Sequence, residues 1–416
     1  MKNADNNSTC TFQTDTMEKF GDYPNRFLQE LLDQDYAADT IKRYRQGIEI
    51  LAGAMHEAGV RLPDLDETLA EELVRQARRG RRLSTYTLST VRRFVRFLRE
   101  NGAGKPLPPP TAKEIARAAL KRDYETYLRR QRGLSERTIY HCWRHADRFL
   151  AFRFGDETGD LSQIKSDDIA AYLQQLTGRM TPYRDKSVCT HLRSFFRYLF
   201  KVGSTPANLA QGILSVPQRY DARLPRHITS EQVEKLLAAV RAGRSGNRRN
   251  YAMVLLMARL GLRAPEVIAI EIDDIDWRAG EFIVRGKGER HDRVPLPPDV
   301  GEAIADYIRH DRVAASRRLF VAERAPHRPF KDGQILNNIL SEAFAATGLK
   351  PPAAYVGAHV LRHSLAVSLV RQGASLDEIG DMLRHRARAS TMIYAQLDID
   401  GLRSVAQPWP VAGGAR

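Results

Sequence analysis

The sequence is poor in cysteine and has no long apolar run, and each shortage excludes a class of protein. Its three cysteines, Cys10, Cys142 and Cys189, are odd in number, far apart and without CxxC spacing. A disulfide scaffold is therefore excluded, and we expect reduced, buried thiols. No stretch reaches the roughly 18 to 20 apolar residues that span a bilayer, and the N-terminal MKNADNNSTCTFQTD lacks the apolar core of a signal peptide. We expect no membrane partner and a cytoplasmic location.

Acidic residues are also scarce relative to basic ones. The chain has 65 lysines and arginines against 50 aspartates and glutamates, a formal net charge of +15. A surface of this sign attracts polyanions, so nucleic acid is the first partner to consider. Hydrophobic residues make up 43% of the 416 positions, enough to build hydrophobic cores, and the length exceeds that of one domain.

Two segments have the composition of linkers. The first is the proline-rich run near residues 102–114, and the second is VPQRYDARLPRH near 216–227. They divide the chain into three predicted domains. These are predicted at 20–105, 115–215 and 225–410.

The first two predicted domains contain similar helical patterns. Apolar residues after Thr40-Ile41 and after Thr138-Ile139 follow the same helical spacing, and VRRFVRFLRENG from Val91 aligns with LRSFFRYLFKVG from Leu192. Any two amphipathic helices can be aligned in this way. Two matches in the same order, at nearly equal offsets, favour a duplicated helical unit.

Arginines on the outer faces of these helices suit contact with DNA phosphates. Further arginines lie in the basic loop RQARRGRR and beside a predicted hairpin; each set could also be ordinary solvated surface. The predicted DNA contacts are Arg78, Arg79, Arg81, Arg82, Arg92, Arg96, Arg193, Arg197, Arg290 and Arg293, with Lys331 as a further backbone contact.

The last third combines helices with one small sheet. Thr229 and Gln232 have capping-box spacing ahead of an apolar helix, and YAMVLLMARLGLRAPEVIAIE is interpreted as one long helical stretch. The segment EFIVRGKGERHDRVPL predicts two strands, around 281–285 and 291–295, joined by a glycine-containing turn. Helical patterns resume near residue 300, so the chain is predicted to be mainly α.

The same region holds the residue types that cleave a phosphodiester. That chemistry needs a nucleophile, donors that neutralise the transition-state charge and an acid for the leaving oxygen. Two guanidinium groups can each present two donors to phosphate oxygens, and a tyrosine, with a pKa near 10, needs cations or a base to ionise. The candidates are Arg263 in LGLRAPEV, Lys287 in RGKGER, His359 and Arg362 in AHVLRHSLAV, His385 in MLRHRARAS and Tyr394 in TMIYAQLD.

Each candidate has an ordinary structural alternative when taken singly. Arg263 could cap a helix, and Tyr394 could be a core aromatic. His359 and His363, four residues apart, could hold zinc, but no further ligand set supports this, so no metal and no cofactor are predicted. We expect His363 to be a core histidine.

In their order and spacing, these motifs resemble those of the tyrosine recombinases of the phage-integrase type. The resemblance covers about 170 residues closely and extends loosely back to residue 115. It implies two helical DNA-binding bundles (SAM-like and core-binding) followed by an α+β catalytic domain with a small antiparallel sheet. It also implies that Tyr394 is the nucleophile, giving a 3′-phosphotyrosyl intermediate, that Lys287 protonates the leaving 5′-hydroxyl, and that Arg263, His359, Arg362 and His385 complete the catalytic set.

The implied activity is site-specific recombination of double-stranded DNA, as in integration or transposition of a mobile element. Family members act as homotetramers on two recombination sites, in some cases with related recombinases. Arg384 replaces the family's usual glycine before His385, and Pro265 follows the first motif where a small polar residue is more common. The additional N-terminal unit resembles that of the longer recombinases carried by transposons.

Three alternatives stay open at this point. A type IB topoisomerase would use similar residues without joining two sites, a non-catalytic DNA-binding accessory protein of a mobile element would need only the charge, and a metal-dependent nuclease would need a carboxylate cluster. The tail after Tyr394, with Leu397, Leu402, Val405 and Trp409, could dock on a neighbouring protomer or pack on its own domain.

Overall fold

The fold is known from a computed structural model. It describes residues 12, 14–77, 85–155, 159–176, 182–213, 226–243, 247–286, 291–313, 316–352 and 357–397. By its internal contacts the chain forms two compact units, Pro106–Asp221 and the combination of Met1–Lys105 with Ala222–Arg416. No described helix has the length and apolar character that a membrane-spanning segment requires.

The first stretch, up to Lys105, is helical. Its helices are α1 (Thr14–Phe20), α2 (Tyr23–Asp33), α3 (Ala38–Glu57), α4 (Glu67–Ala77) and α5 (Thr85–Glu100), with a 3₁₀ turn at Leu62–Asp64. They enclose a hydrophobic core in which Phe27, Leu51, Val74 and Phe94 are buried. Three edge-on aromatic contacts tie Phe20, Phe27 and Tyr44 into this core.

The unit Pro106–Asp221 has its own helices and core. The helices are α6 (Ala112–Arg130), α7 (Glu136–Phe154), α8 (Ser166–Leu176) and α9 (Pro182–Lys201), with 3₁₀ turns at Leu161–Gln163 and Leu209–Gly212. Its core includes Tyr124, Phe149, Phe195 and Phe196. Cys142 and Cys189 are buried, reduced thiols here, as predicted, whereas Cys10 lies outside the described residues.

The two helical stretches repeat one arrangement. The order of helices with a 3₁₀ turn after the second is the same in α2–α5 and in α6–α9. The aligned phenylalanines Phe94 and Phe195 are both fully buried. The aligned glycines Gly102 and Gly203 both end a helix with positive φ, 77° and 72°, where a side chain would be strained. The two stretches therefore share the local arrangement that a duplicated helical unit would have.

The last stretch, from residue 226, is an α+β fold. Its helices are α10 (Ser230–Ala242), α11 (Asn247–Leu260), α12 (Ala264–Ala269), α13 (Pro298–His310), α14 (Gln334–Thr347), α15 (His359–Arg371), α16 (Leu376–Met382) and α17 (Arg388–Thr391). Further 3₁₀ segments are Ile272–Asp274 and Met392–Leu397. The core centres on α11, whose residues from Ala252 to Met257 are all fully buried.

The sheet is small and antiparallel. It consists of β1 (Ile275–Asp276), β2 (Glu281–Arg285) and β3 (His291–Pro295), in that order. Phe282 lies opposite Val294 in the β2–β3 register, and alternate residues of β2 face the core. The predicted strands match β2 and β3, whereas β1 was missed because two residues leave no periodic pattern.

Local sequence signals account for the helix ends in this stretch. The predicted capping box is present: the Gln232 backbone N–H donates to Thr229 Oγ1 at 3.3 Å, and the Thr229 N–H donates to Gln232 Oε1 at 3.0 Å. The interpretation of 251–271 as one helical stretch is wrong. The chain breaks at Gly261, whose φ is +59°, and a new helix starts at Ala264.

Candidate active site

Three side chains of α15 form the centre of the candidate active site. His359, Arg362 and His363 are three and four residues apart, so they project from one face of the helix. The Ala358 backbone N–H donates to Asn337 Oδ1 at 2.8 Å, which anchors the start of α15. Arg362 is buried, with 4% of its surface exposed, while His359 remains exposed.

The Arg362 guanidinium joins two turns. Its Nη1 donates to the Gly261 carbonyl and its Nη2 to the Leu383 carbonyl. Burial, followed by the charge of Arg263, lowers the pKa of Arg362 to about 10, so it still carries its charge at neutral pH. A Cβ on Gly261 would lie 2.5 Å from Leu383 Cδ2, so both φ and close packing require glycine beside Arg362.

Arg263 lies beside a buried carboxylate. It caps α12, where its backbone N–H donates to Glu266 Oε2 at 2.9 Å and its Nη1 donates to Glu266 Oε1 at 2.6 Å. Burial alone would raise the pKa of Glu266, but these hydrogen bonds and the charges of Arg263 and Arg384 hold it below its usual value. About a third of the Arg263 side chain is exposed, so part of its guanidinium is accessible to a phosphate.

The turn after α16 brings His385 to the same place. Its Nδ1 shares a hydrogen bond of 2.8 Å with Thr391 Oγ1, which orients the imidazole. Burial, followed by the charges of Arg362 and Arg263, lowers the pKa of His385 to about 4. Partial desolvation and the same two arginines also lower the pKa of His359. Both histidines are therefore neutral near pH 7, and each retains one N–H donor.

Tyr394 is enclosed by protein. Only 1% of its surface is exposed, and its ring packs with Val367, Ile379 and Leu383. Its hydroxyl shares a hydrogen bond of 2.7 Å with His363 Nδ1. Burial raises the pKa of Tyr394 to about 12, although the charge of Arg362 lowers it. At pH 7.5 the phenolate fraction is then on the order of 10⁻⁵ to 10⁻⁴, so this conformation holds a neutral phenol.

The sequence-based expectations for this site divide into three groups. Five of the predicted residues lie in one region of the last stretch, from residue 226, and are linked through the contacts and charge interactions above. They are Arg263, His359, Arg362, His385 and Tyr394. Lys287 and Arg290, and the arginines of the basic loop, Arg78, Arg79, Arg81 and Arg82, lie outside the described residues.

The remaining predicted DNA contacts differ in what they already bind. Arg96, Arg197 and Lys331 are exposed. The other three predicted arginines have protein acceptors: Arg92 pairs with Glu71, Arg193 Nε donates to the Ile213 carbonyl at 3.1 Å, and Arg293 pairs with Glu281.

Sequence reasoning missed two residues of the site. Glu266 contacts both Arg263 and Arg384, and its only sequence signal was its position three residues after Arg263. His363 was expected to be a core histidine, yet it is half-buried and holds the Tyr394 hydroxyl. Among the described residues, no three His, Cys, Asp or Glu side chains converge so as to hold a metal ion.

Comparison with known proteins agrees with this geometry. The model of the phage integrase family matches residues 226–400. The integrase/recombinase y4rA of Sinorhizobium fredii is 42% identical over 288 residues, covering 69% of this chain and 70% of that protein. The chain belongs to the phage integrase family, the tyrosine recombinases. It is a site-specific recombinase that cleaves and rejoins DNA.

Other members of the family extend the likeness. The tyrosine recombinase XerC of Anoxybacillus flavithermus is 28% identical over 292 residues, covering 67% of this chain and 93% of that protein. Among solved structures, a lambda integrase dimer bound to a COC′ core site has a TM-score of 0.51 at 18% identity, covering 71% of this chain and 99% of that one. At this identity the structural likeness shows the recombinase fold alone.

Proposed function

We propose that Tyr394 is the nucleophile of this recombinase. Its hydroxyl attacks the scissile phosphate, forms a 3′-phosphotyrosyl bond and releases a 5′-hydroxyl, which then attacks the phosphotyrosyl bond of a partner strand. The bond energy is kept in the covalent link, so the exchange needs no nucleotide, metal or other cofactor. The observation that carries the proposal is the position of Tyr394, bonded to His363 and close enough to Arg362 for its charge to favour the phenolate.

The neighbouring side chains have complementary roles in this proposal. Arg263 and Arg362 bind the non-bridging oxygens and stabilise charge that is greatest in the transition state. His359 and His385, neutral near pH 7, donate further hydrogen bonds or exchange protons. Lys287, which follows β2 in the sequence, protonates the leaving 5′-oxygen, a role that rests on the family resemblance.

Attack requires a change in the position of Tyr394. The ring is buried and its hydroxyl is bonded to His363, so no DNA phosphate reaches it in this conformation. We infer that the segment Met392–Leu397 turns to bring the hydroxyl to the phosphate. Closer to Arg362 and beside Arg263, the phenol would feel more positive charge and lose its apolar surroundings, and both changes lower its pKa.

We further propose that the chain has three domains, at 20–105, 115–215 and 225–410, of which the first two bind DNA. Separate hydrophobic clusters in the three stretches support this division, and exposed Arg96 and Arg197 support DNA contact. In this proposal a homotetramer acts on two recombination sites in the cytoplasm.

A suicide duplex tests the catalytic proposal. The duplex contains the recombination site with a nick close to the scissile phosphate, so that a short fragment diffuses away and the covalent intermediate accumulates. In EDTA, the unmodified chain should give a denaturant-stable protein–DNA adduct, and Tyr394→Phe should give none. An adduct that persists in Tyr394→Phe, or that requires a divalent metal, would contradict the proposal.

A further inference from the structure

Arg384 has a backbone conformation that a side chain normally disfavours. Its φ is +54°, in the left-handed region that glycine adopts without strain. The resemblance places a glycine at this position in the family. An arginine that accepts this strain next to a reactive site indicates a compensating interaction.

The Arg384 side chain points toward Glu266. Its Nη2 lies 3.3 Å from Glu266 Oε2, and its Nη1 donates to the Met382 carbonyl at 3.2 Å. Both partners of the ion pair are largely buried, with 12% and 8% of their side chains exposed. Glu266 is therefore shared: its Oε1 accepts from the Arg263 guanidinium, and its Oε2, which accepts from the Arg263 backbone N–H, also lies close to Arg384 Nη2.

The ion pair between Arg384 and Glu266 connects the same two turns as the hydrogen bonds of Arg362. The Arg362 guanidinium donates to the carbonyls of Gly261 and Leu383. Arg384, the residue after Leu383, pairs with Glu266 in α12, the helix that follows Gly261 in the chain. Two arginines thus connect the turn that carries Arg263 with the turn that carries His385. If a bound phosphate takes hydrogen bonds from the Arg362 guanidinium, the ion pair between Arg384 and Glu266 still connects the two turns.

We propose that Arg384 is a positioning residue, which acts through Glu266 to hold Arg263 and His385 at their working separation. The proposal rests on the catalytic function above and deepens it. A glycine at this position would relax the backbone but could not form the connection. Arg384 is thus expected to contribute to the chemical step and little to the binding of DNA.

Four variants separate this role from its alternatives. Arg384→Gly removes the side chain and the strain, while Arg384→Asn keeps a side chain that tolerates positive φ. Arg384→Lys keeps the charge, and Glu266→Gln removes the charge of the partner at constant shape. Each is measured for the rate of adduct formation on the suicide duplex at saturating DNA. DNA affinity is measured separately, in the Tyr394→Phe background.

The expected outcome is a split between rate and affinity. Arg384→Gly and Arg384→Asn should slow cleavage by about tenfold or more, as for other residues that orient a reacting group, while the dissociation constant for DNA changes by less than about twofold. Arg384→Lys should recover part of the rate. In the Glu266→Gln background, Arg384→Gly should add little further loss, because the two residues act as a pair.

Other outcomes would overturn the inference. If Arg384→Gly cleaves as fast as the unmodified chain, the Arg384 side chain contributes only to the local structure of the turn and not to catalysis. If the loss is one of affinity and persists in Glu266→Gln, Arg384 contacts DNA directly. Failure of the catalytic proposal has a different signature, because the unmodified chain itself would then give no adduct that depends on Tyr394.

Discussion

At the scale of single residues, the burial of three histidines makes the stability of the fold depend on pH. The pKa values of His145, His363 and His385 are each lowered to about 4, with burial as the largest cause. In the unfolded chain their pKa is near 6.5. Between these pH values the unfolded chain binds protons that the folded chain does not. The free energy of unfolding is therefore greatest, as far as these histidines contribute, above about pH 6.5, and it decreases as the pH falls toward 4.

His145 permits a test outside the catalytic site. It stacks on His191, with ring centroids 5.1 Å apart, and Arg148, His141 and Arg144 add to the lowering of its pKa. The midpoint of thermal unfolding should decrease from pH 7 to pH 5, and His145→Gln should make that decrease smaller. One such group contributes at most about 1.4 kcal/mol per pH unit, and each kcal/mol shifts the midpoint by about 2 to 4 °C.

The matched control for His145→Gln is His56→Gln, which replaces an exposed histidine in α3. It should leave the dependence of the midpoint on pH unchanged. Equal pH dependence in His145→Gln and the unmodified chain would show that His145 titrates alike in the folded and unfolded states.

The residues of the active site differ in how far sequence could identify them. Arg263, Arg362 and Tyr394 stand in motifs of recognisable order. Glu266 and His363 act through contacts with residues distant in sequence, Arg384 and Tyr394, and such contacts leave no periodic signal. The buried position of Tyr394 stayed open from sequence, because a motif that marks a candidate nucleophile does not specify the conformation in which the side chain is held.

At the scale of elements, α5 and α9 occupy corresponding places in the two helical stretches. Arg96 and Arg197 occupy aligned positions, and both are exposed, without an ion pair or hydrogen bond among the described residues. Their aligned neighbours Arg92 and Arg193 already have protein acceptors. The exposed pair is therefore better suited to neutralise DNA phosphates.

Substitution of these two arginines tests the role of the helices. Arg96→Gln and Arg197→Gln should each weaken DNA binding similarly for all sequences and reduce the slope of log affinity against log salt by about 1. The measurement is a salt titration of DNA affinity. Arg61→Gln and Arg122→Gln are matched controls, since each removes an exposed charge that pairs with an aspartate close in sequence. Equal slopes in variants and controls would exclude a specific phosphate contact by α5 and α9.

The boundaries of elements follow from different physical causes, and only some are readable from sequence. β2 and β3 alternate buried and solvent-facing residues, and the capping box before α10 has a fixed spacing, so both were predicted. The break at Gly261 was not. That glycine lies in an apolar run typical of a continuous helix. The space beside it is limited by Leu383 and Leu365, which come from another part of the chain and leave no sign near Gly261 in the sequence.

At the scale of the whole molecule, the excess of basic charge suits a protein that binds DNA. Three stretches of the chain each bury an aromatic or aliphatic core of their own, and the net charge of +15 favours association with a polyanion. Charge of one sign also opposes contact between protomers. In the proposed assembly on two DNA sites, contacts between protomers must offset this repulsion.

The C-terminal tail is the segment we expect to supply such a contact. Leu402, Val405 and Trp409 are apolar residues among polar ones, and they lie outside the described residues. Deletion of 400–416 should abolish the complex that joins two DNA sites while leaving binding to a single site intact, because the tail would bury apolar surface on a neighbour rather than contact DNA. Gel mobility with one-site and two-site DNA measures both properties.

Substitutions separate loss of apolar contact from loss of chain length. Replacement of Leu402, Val405 and Trp409 together by serine should have the same effect as the deletion, whereas Arg403→Gln, which changes charge in the same segment, should still assemble. If the deleted chain forms two-site complexes as the full chain does, the tail packs on its own domain, and the attraction between protomers must come from another surface.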